Sequence, residues 1–144
     1  MQKVPFPFRH HCYFRLVNGN TPLTLVEAEE AVTPAEVYQA LNYRSRLHFT
    51  RPLVLHFENP AVPTPVWLGF AFDVEMLVVD TQGVVQQLVP IPRRRPNDAL
   101  FVQFFAECSC AILVPAGFGR AWQVVPQQTK VNRIRIAPYV QQTA

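Results

Sequence analysis

Glycine is scarce: five residues in 144, against fourteen prolines. Proline breaks helix interiors and is excluded from central strand positions, so long helical bundles are ruled out and short strands with many turns are favoured. Charge is sparse too. Charged residues make up 16% of the chain and hydrophobic ones 49%, which excludes a disordered, self-repelling tail and predicts a generous interior. The three cysteines, Cys12, Cys108 and Cys110, are odd in number and lack framework spacing. A bridge between Cys108 and Cys110 would be strained, so a reducing, cytoplasmic setting is predicted. No apolar run approaches the roughly 18 residues of a membrane span, so no membrane partner is expected. The opening M-Q-K-V-P-F-P-F-R-H-H has no apolar h-region, so no secretory signal is expected. The formal net charge of +3 is too small to imply nucleic acid by itself. The length suits a single domain over residues 1–144, large enough for a real core. There is no internal repeat.

What the chain does have is one organising stretch, residues 66–90. Residues 67–79 read as the first arm of a hairpin. Phe70, Phe72, Val74, Met76 and Val78 fall on one face, and Ala71, Asp73, Glu75, Leu77 and Val79 on the other. That is the period-two pattern of a strand with one buried face. Asp80-Thr81-Gln82-Gly83 supplies the turn, with Gly83 able to take positive φ. Residues 84–89 return as the second arm.

Around this hairpin the other elements are short. Residues 1–11 read as an irregular arm. Residues 12–17 form a strand closed by the hairpin signal Asn18-Gly19-Asn20, with 21–28 as partner. Thr33-Pro34-Ala35-Glu36 opens a helix. Thr33 caps the N–H at the third helical position, Glu36 reaches back to the cap, and Pro34 takes the first position. Val37, Ala40 and Leu41 continue it to about residue 43. Strands are predicted over 52–57, 99–106, 108–114 and 130–136, the last an edge strand with Ile134 and Ile136 on one face and Arg133 and Arg135 on the other. Residues 91–98 form a basic loop. After the break at residues 115–119 a single helical turn precedes Trp122.

With these elements placed, their order resembles the domain of unknown function 192 family, a prokaryotic group. The residues that carry the likeness are Thr33-Pro34-Ala35-Glu36, then Ala40-Leu41-Asn42-Tyr43-Arg44 and Leu47. They continue with Pro52 to Glu58, Trp67-Leu68, the segment from Met76 to Gly83 with its Asp80, and Val114-Pro115-Ala116-Gly117-Phe118. Coverage is about residues 24–125. The chain departs from the family at several polar positions. Ala40-Leu41-Asn42 stands where the family has Gly-Leu-Met, and Leu113 where it often has a glutamate. The resemblance implies a compact, mostly β fold with one helix, and no particular reaction.

Several residue groups bear on chemistry. Asp73 and Glu75 alternate on one strand face at roughly 7 Å, a separation that suits a pair of hydrolytic carboxylates, one as acid and one as base or nucleophile. The plainer reading is a solvated face or ion pairs to nearby arginines. Trp67 beside Asp73, Glu75 and Arg44 makes a polar-rimmed pocket with an aromatic floor, suited to sugars or carboxylates. The alternative is a tryptophan that closes the core. Arg93, Arg94, Arg95, Lys130, Arg133 and Arg135 could face phosphates, or could simply keep an edge soluble. His10-His11-Cys12 and Cys108-Ser109-Cys110 lack zinc spacing, and His48 and His56 have no nucleophile motif beside them.

The fold expected is mainly β (α+β), a small β-barrel or packed antiparallel sheet with one short helix near residues 33–43. The function expected is a non-enzymatic domain binding a small molecule or a protein through Trp67, Asp73, Glu75 and Arg44. No cofactor, metal or nucleic acid is expected. A homodimer through an exposed strand edge fits the apolar content. The alternatives are a hydrolase using Asp73 and Glu75, and a basic nucleic-acid accessory protein.

Overall fold

A computed structural model describes residues 10–39, 49, 51–56, 64–67, 72–93, 99–102 and 108–134. The elements run β1 (His10–Asn18), β2 (Thr21–Ala31), α1 (Pro34–Gln39), β3 (Leu53–His56), β4 (Thr64–Trp67) and β5 (Val74–Asp80). They continue with β6 (Val85–Ile91), β7 (Ala99–Val102), β8 (Cys108–Pro115), α2 (Phe118–Ala121) and β9 (Thr129–Ile134). The fold is mainly β. Seven strands form one sheet in the order β6-β5-β8-β3-β2-β1-β9, and β4 pairs with β7 in a separate two-stranded sheet.

The sheet stops short of a barrel. Its edges, β6 and β9, are joined by one isolated bridge from Val84 to Lys130. Around it the Val131 N–H donates to the Gly83 carbonyl at 2.7 Å and the Gln127 N–H to the Val85 carbonyl at 2.6 Å. Of the two architectures expected, the packed sheet is the one formed. It is also not wholly antiparallel. β2 and β3 run parallel, with Glu29, Glu30 and Ala31 opposite Leu53, Val54 and Leu55. Parallel neighbours need a crossover, and residues 32–52, with α1 among them, supply it.

The hairpin forms, but its first arm is shorter than the alternation predicts. β5 begins at Val74, and Thr64–Trp67 is a strand of its own, opposite β7. β5 and β6 pair antiparallel about the Asp80 turn, with Gly83 at φ +83°. Both faces of β5 are buried, not one. Val74, Met76 and Val78 join Leu53, Leu55, Leu113 and Val37 in one cluster, with Phe72 packed against it. Leu77 and Val79 join Phe14, Leu16, Ile112 and Val114 in the other. A strand that lies inside the sheet between two covered faces loses the polar phase that an exposed face would keep. The second cluster draws on both edges, Val85 of β6 and Val131 of β9, so the sheet curls around it. The first lies on the opposite face, beneath α1.

The predicted helix start holds in detail. The Glu36 N–H donates to Thr33 Oγ1 at 3.1 Å, and Glu36 Oε1 accepts from the N–H groups of Thr33 at 3.1 Å and Val32 at 3.0 Å. The helical turn expected between the break at residues 115–119 and Trp122 is α2, which begins earlier, at Phe118. β1 starts earlier than expected and takes in His10 and His11, which were placed in an irregular arm. Residue 57, residues 103–106 and residues 135–136, parts of three predicted strands, lie outside the described residues.

Candidate functional site

A cleft of about 450 Å³ opens at one end of the curled sheet. Its walls come from the C-terminal ends of β3 and β9, the first half of β1, the start of β8 and the Asp80–Gly83 turn. Val54, Val79, Ile112 and Val131 form an aliphatic floor; His56 and Arg133 stand among its polar groups.

The strand phases explain the arrangement. On β2, Val26 and Ala28 point into the curl, and Glu30 continues the same phase. A carboxylate is therefore carried inward, and Glu30 is 4% exposed. A buried carboxylate requires partners. Oε2 meets His56 Nε2 at 2.6 Å, and Oε1 accepts from an Arg133 guanidinium N–H at 2.6 Å. The Glu30–Arg133 pair ties β2 to β9 across β1; His56, on β3, is β2's neighbour on the other side. Cys12, inward on β1 in phase with Phe14 and Leu16, completes the cluster. Burial, the Glu30 charge and a thiol hydrogen bond to Glu30 push its pKa up to about 12, against a smaller opposing pull from Arg133. At neutral pH Cys12 is a neutral donor to Glu30, not a nucleophile. Both Glu30 oxygens are thus occupied from below the cleft. The side chains of His56 and Arg133 are 33% and 58% exposed, and both residues line the cleft.

Asp80 sits at the rim with its carboxylate committed to the turn. Oδ1 accepts from the N–H groups of Gln82 and Val84, each at 2.9 Å, and Oδ2 from the Gln86 amide at 2.7 Å. Slight burial pushes its carboxyl pKa up. The bonds from Val84, Gln86 and Gln82 outweigh that and hold it below the ordinary carboxylate range.

Of the four site residues expected from the sequence, Asp73 and Glu75 fall away from this cleft. Asp73 and Glu75 lie at the other end of β5, each with a carboxylate oxygen on a backbone N–H. Asp73 Oδ1 accepts from Arg93 at 2.8 Å, and Glu75 Oε1 from Gly119, at the start of α2, at 3.0 Å. Asp73 precedes β5 and Glu75 lies within it, and they anchor different segments, those after β6 and β8. Trp67 ends β4, opposite Ala99. Arg44 lies outside the described residues, as do Arg94, Arg95, Arg135 and His48. Of the basic set, Arg133 is held by Glu30, while Arg93 and Lys130 are exposed. His11 and Cys12 alternate to opposite faces of β1. His11 faces Glu27 at 3.7 Å, and Cys12 faces the cluster. Among the described residues no three His, Cys, Asp or Glu side chains form a group able to hold a metal ion.

The Glu30 cluster was missed from the sequence although one signal existed: a glutamate continuing the inward phase of Val26 and Ala28. Its partners on β3 and β9 carry no such signal, because only the sheet order brings them beside β2.

No family model matches the chain, and no curated protein is similar to it in sequence. Two solved structures share the fold. One is a "putative transcription regulator" from Sinorhizobium meliloti 1021, at a TM-score of 0.67 and 17% identity, covering 85% of this chain and 93% of that one. The other is a protein of unknown function from Novosphingobium aromaticivorans DSM 12444, at a TM-score of 0.62 and 15% identity, covering 83% of each chain. At such identities the likeness extends to the fold alone.

Proposed function

We propose that the chain is a non-enzymatic binding domain whose ligand is a small molecule seated in the cleft above Glu30. One observation carries this reading. The buried Glu30 carboxylate is held by two side chains, His56 and Arg133, that both open into the same cavity. Such an arrangement fixes two polar side chains before any ligand arrives, which lowers the ordering cost of binding. Cys12, the thiol beside them, is protonated and so unsuited to attack. The cleft joins an aliphatic floor to a polar wall, and a concave site with convergent polar groups is the usual form of a small-molecule site.

The test is a thermal-shift screen of the intact chain against a metabolite panel, repeated with Val131→Phe, which narrows the cleft from β9. A ligand present at about 100 times its Kd adds about 2.7 kcal/mol of stability. The reading requires a shift in the parent that Val131→Phe abolishes. A shift that survives Val131→Phe but disappears in Trp67→Ala would move the site to the Trp67, Asp73, Glu75 and Arg44 set. That set is the second location we propose, on the strength of Asp73 and Glu75 standing two positions apart in the chain.

Membership of the domain of unknown function 192 family is part of the same proposal. The residues that carry the resemblance include the capping box of α1, the hairpin turn at Asp80 and the Pro115-Ala116-Gly117 turn. Leu113, where that family often has a glutamate, is fully buried. A cytoplasmic location and a dimer through a strand edge belong with this reading. Sedimentation of the purified chain tests the dimer.

A further inference from the structure

We infer that the ligand class of this cleft is a small aliphatic carboxylic acid, an inference that rests on the binding role proposed above. The cavity has two chemically distinct parts. Val54, Val79, Ile112 and Val131 offer only aliphatic surface, which suits a hydrocarbon body of a few carbons. In the polar wall, the permanent cation among the described residues is Arg133. Arg133 uses one guanidinium N–H on Glu30 and keeps its others, in a planar fork that matches a carboxylate. His56 has Nε2 engaged with Glu30, leaving Nδ1 as its second polar atom.

The carboxylates nearby do not cancel this preference. Glu30 lies beneath the cleft with each oxygen already on a donor. Asp80, at the rim, spends both oxygens on the turn. A free ammonium would therefore meet the guanidinium of Arg133 and find no uncommitted carboxylate among the described residues. A dianionic phosphate would bring two negative charges to a site whose permanent cation among the described residues, Arg133, already serves Glu30. A monoanionic carboxylate on an aliphatic stem fits both halves.

The experiment is an amide NMR titration of the intact chain with hexanoate, hexanamide and hexylamine as separate probes. Hexanoate is expected to shift the Gly83, Cys110, Val131 and Arg133 amides saturably, with the other two at least about tenfold weaker. Arg133→Met alone leaves a buried carboxylate short of a partner and could unfold the chain. The decisive variant is therefore the pair Glu30→Gln with Arg133→Met, which removes both charges together. It should lose the preference for hexanoate while still binding hexanamide as before. Hexylamine or hexanamide binding as tightly as hexanoate would overturn the acid class yet leave the cleft a binding site, as would a double variant that keeps the preference. Silence from all three probes would overturn the acid class as well, and the metabolite screen would then decide separately whether the cleft binds anything.

Discussion

At Gly83 the backbone takes φ +83°, and a Cβ there would come within 2.8 Å of the Val131 carbonyl oxygen. Gly83→Ala therefore strains the turn and pushes the two sheet edges apart. A loss of about 1–3 kcal/mol is expected, read from urea denaturation midpoints. Cys12 gives a pH-dependent expectation. Its folded pKa, about 12, lies above the ordinary thiol value of 9.0. The folded chain then holds a proton that the unfolded chain releases. The contribution is complete below pH 9 and declines as pH rises from there toward 12. Stability measured between pH 8 and 11 should fall, and Cys12→Ala should flatten the slope. Folded Cys12 should also resist alkylation at pH 8 and react once the chain is denatured. Asp80 has the opposite sign. Its pKa is lowered in the folded state, so its contribution is present above about pH 4 and is lost on acidification through the folded value.

The elements differ in how much of them could be read in advance. The capping box of α1 was fully legible, because Thr33, Pro34 and Glu36 act within one turn and need no distant partner. Glu36 serves two N–H groups and is itself buried. Glu36→Ala should therefore cost more than the roughly 1 kcal/mol expected of Thr33→Ala. The far-ultraviolet helical signal and the thermal midpoint would rank the two variants. The Asp80 turn was legible for the same local reason. The start of β5 was not. Alternation ran on through residues 67–73, but pairing partners decide where a strand begins, and Trp67 pairs with Ala99 while Val74 pairs with Ile91 and Pro115. The inward face of Arg133 was likewise hidden. Its phase follows Val131 and the fully buried Thr129, whose hydroxyl donates to Asn18 Oδ1 and accepts from the Val125 N–H. Composition around Arg133 gives no hint of that anchoring.

Across the whole molecule, two hydrophobic clusters back onto one sheet, so deletions on either face of β5 should be costly. Leu77→Ala and Met76→Ala remove apolar volume from opposite sides of adjacent positions. Each should cost about 2–5 kcal/mol by chemical denaturation, with Leu77, wholly buried, at the upper end. The candidate site is illegible from sequence at this scale, because Cys12, Glu30, His56 and Arg133 come from four strands whose adjacency only the sheet order supplies. That order also has a bearing on biogenesis. β1 has β9 as its outer neighbour, and the partners Asn18 and Thr129 stand 111 positions apart. During synthesis the free margin of the first hairpin must wait for nearly the entire remainder of the chain to leave the ribosome. A nascent polypeptide halted before residue 129 would show an uncovered strand that invites chaperones or neighbouring chains.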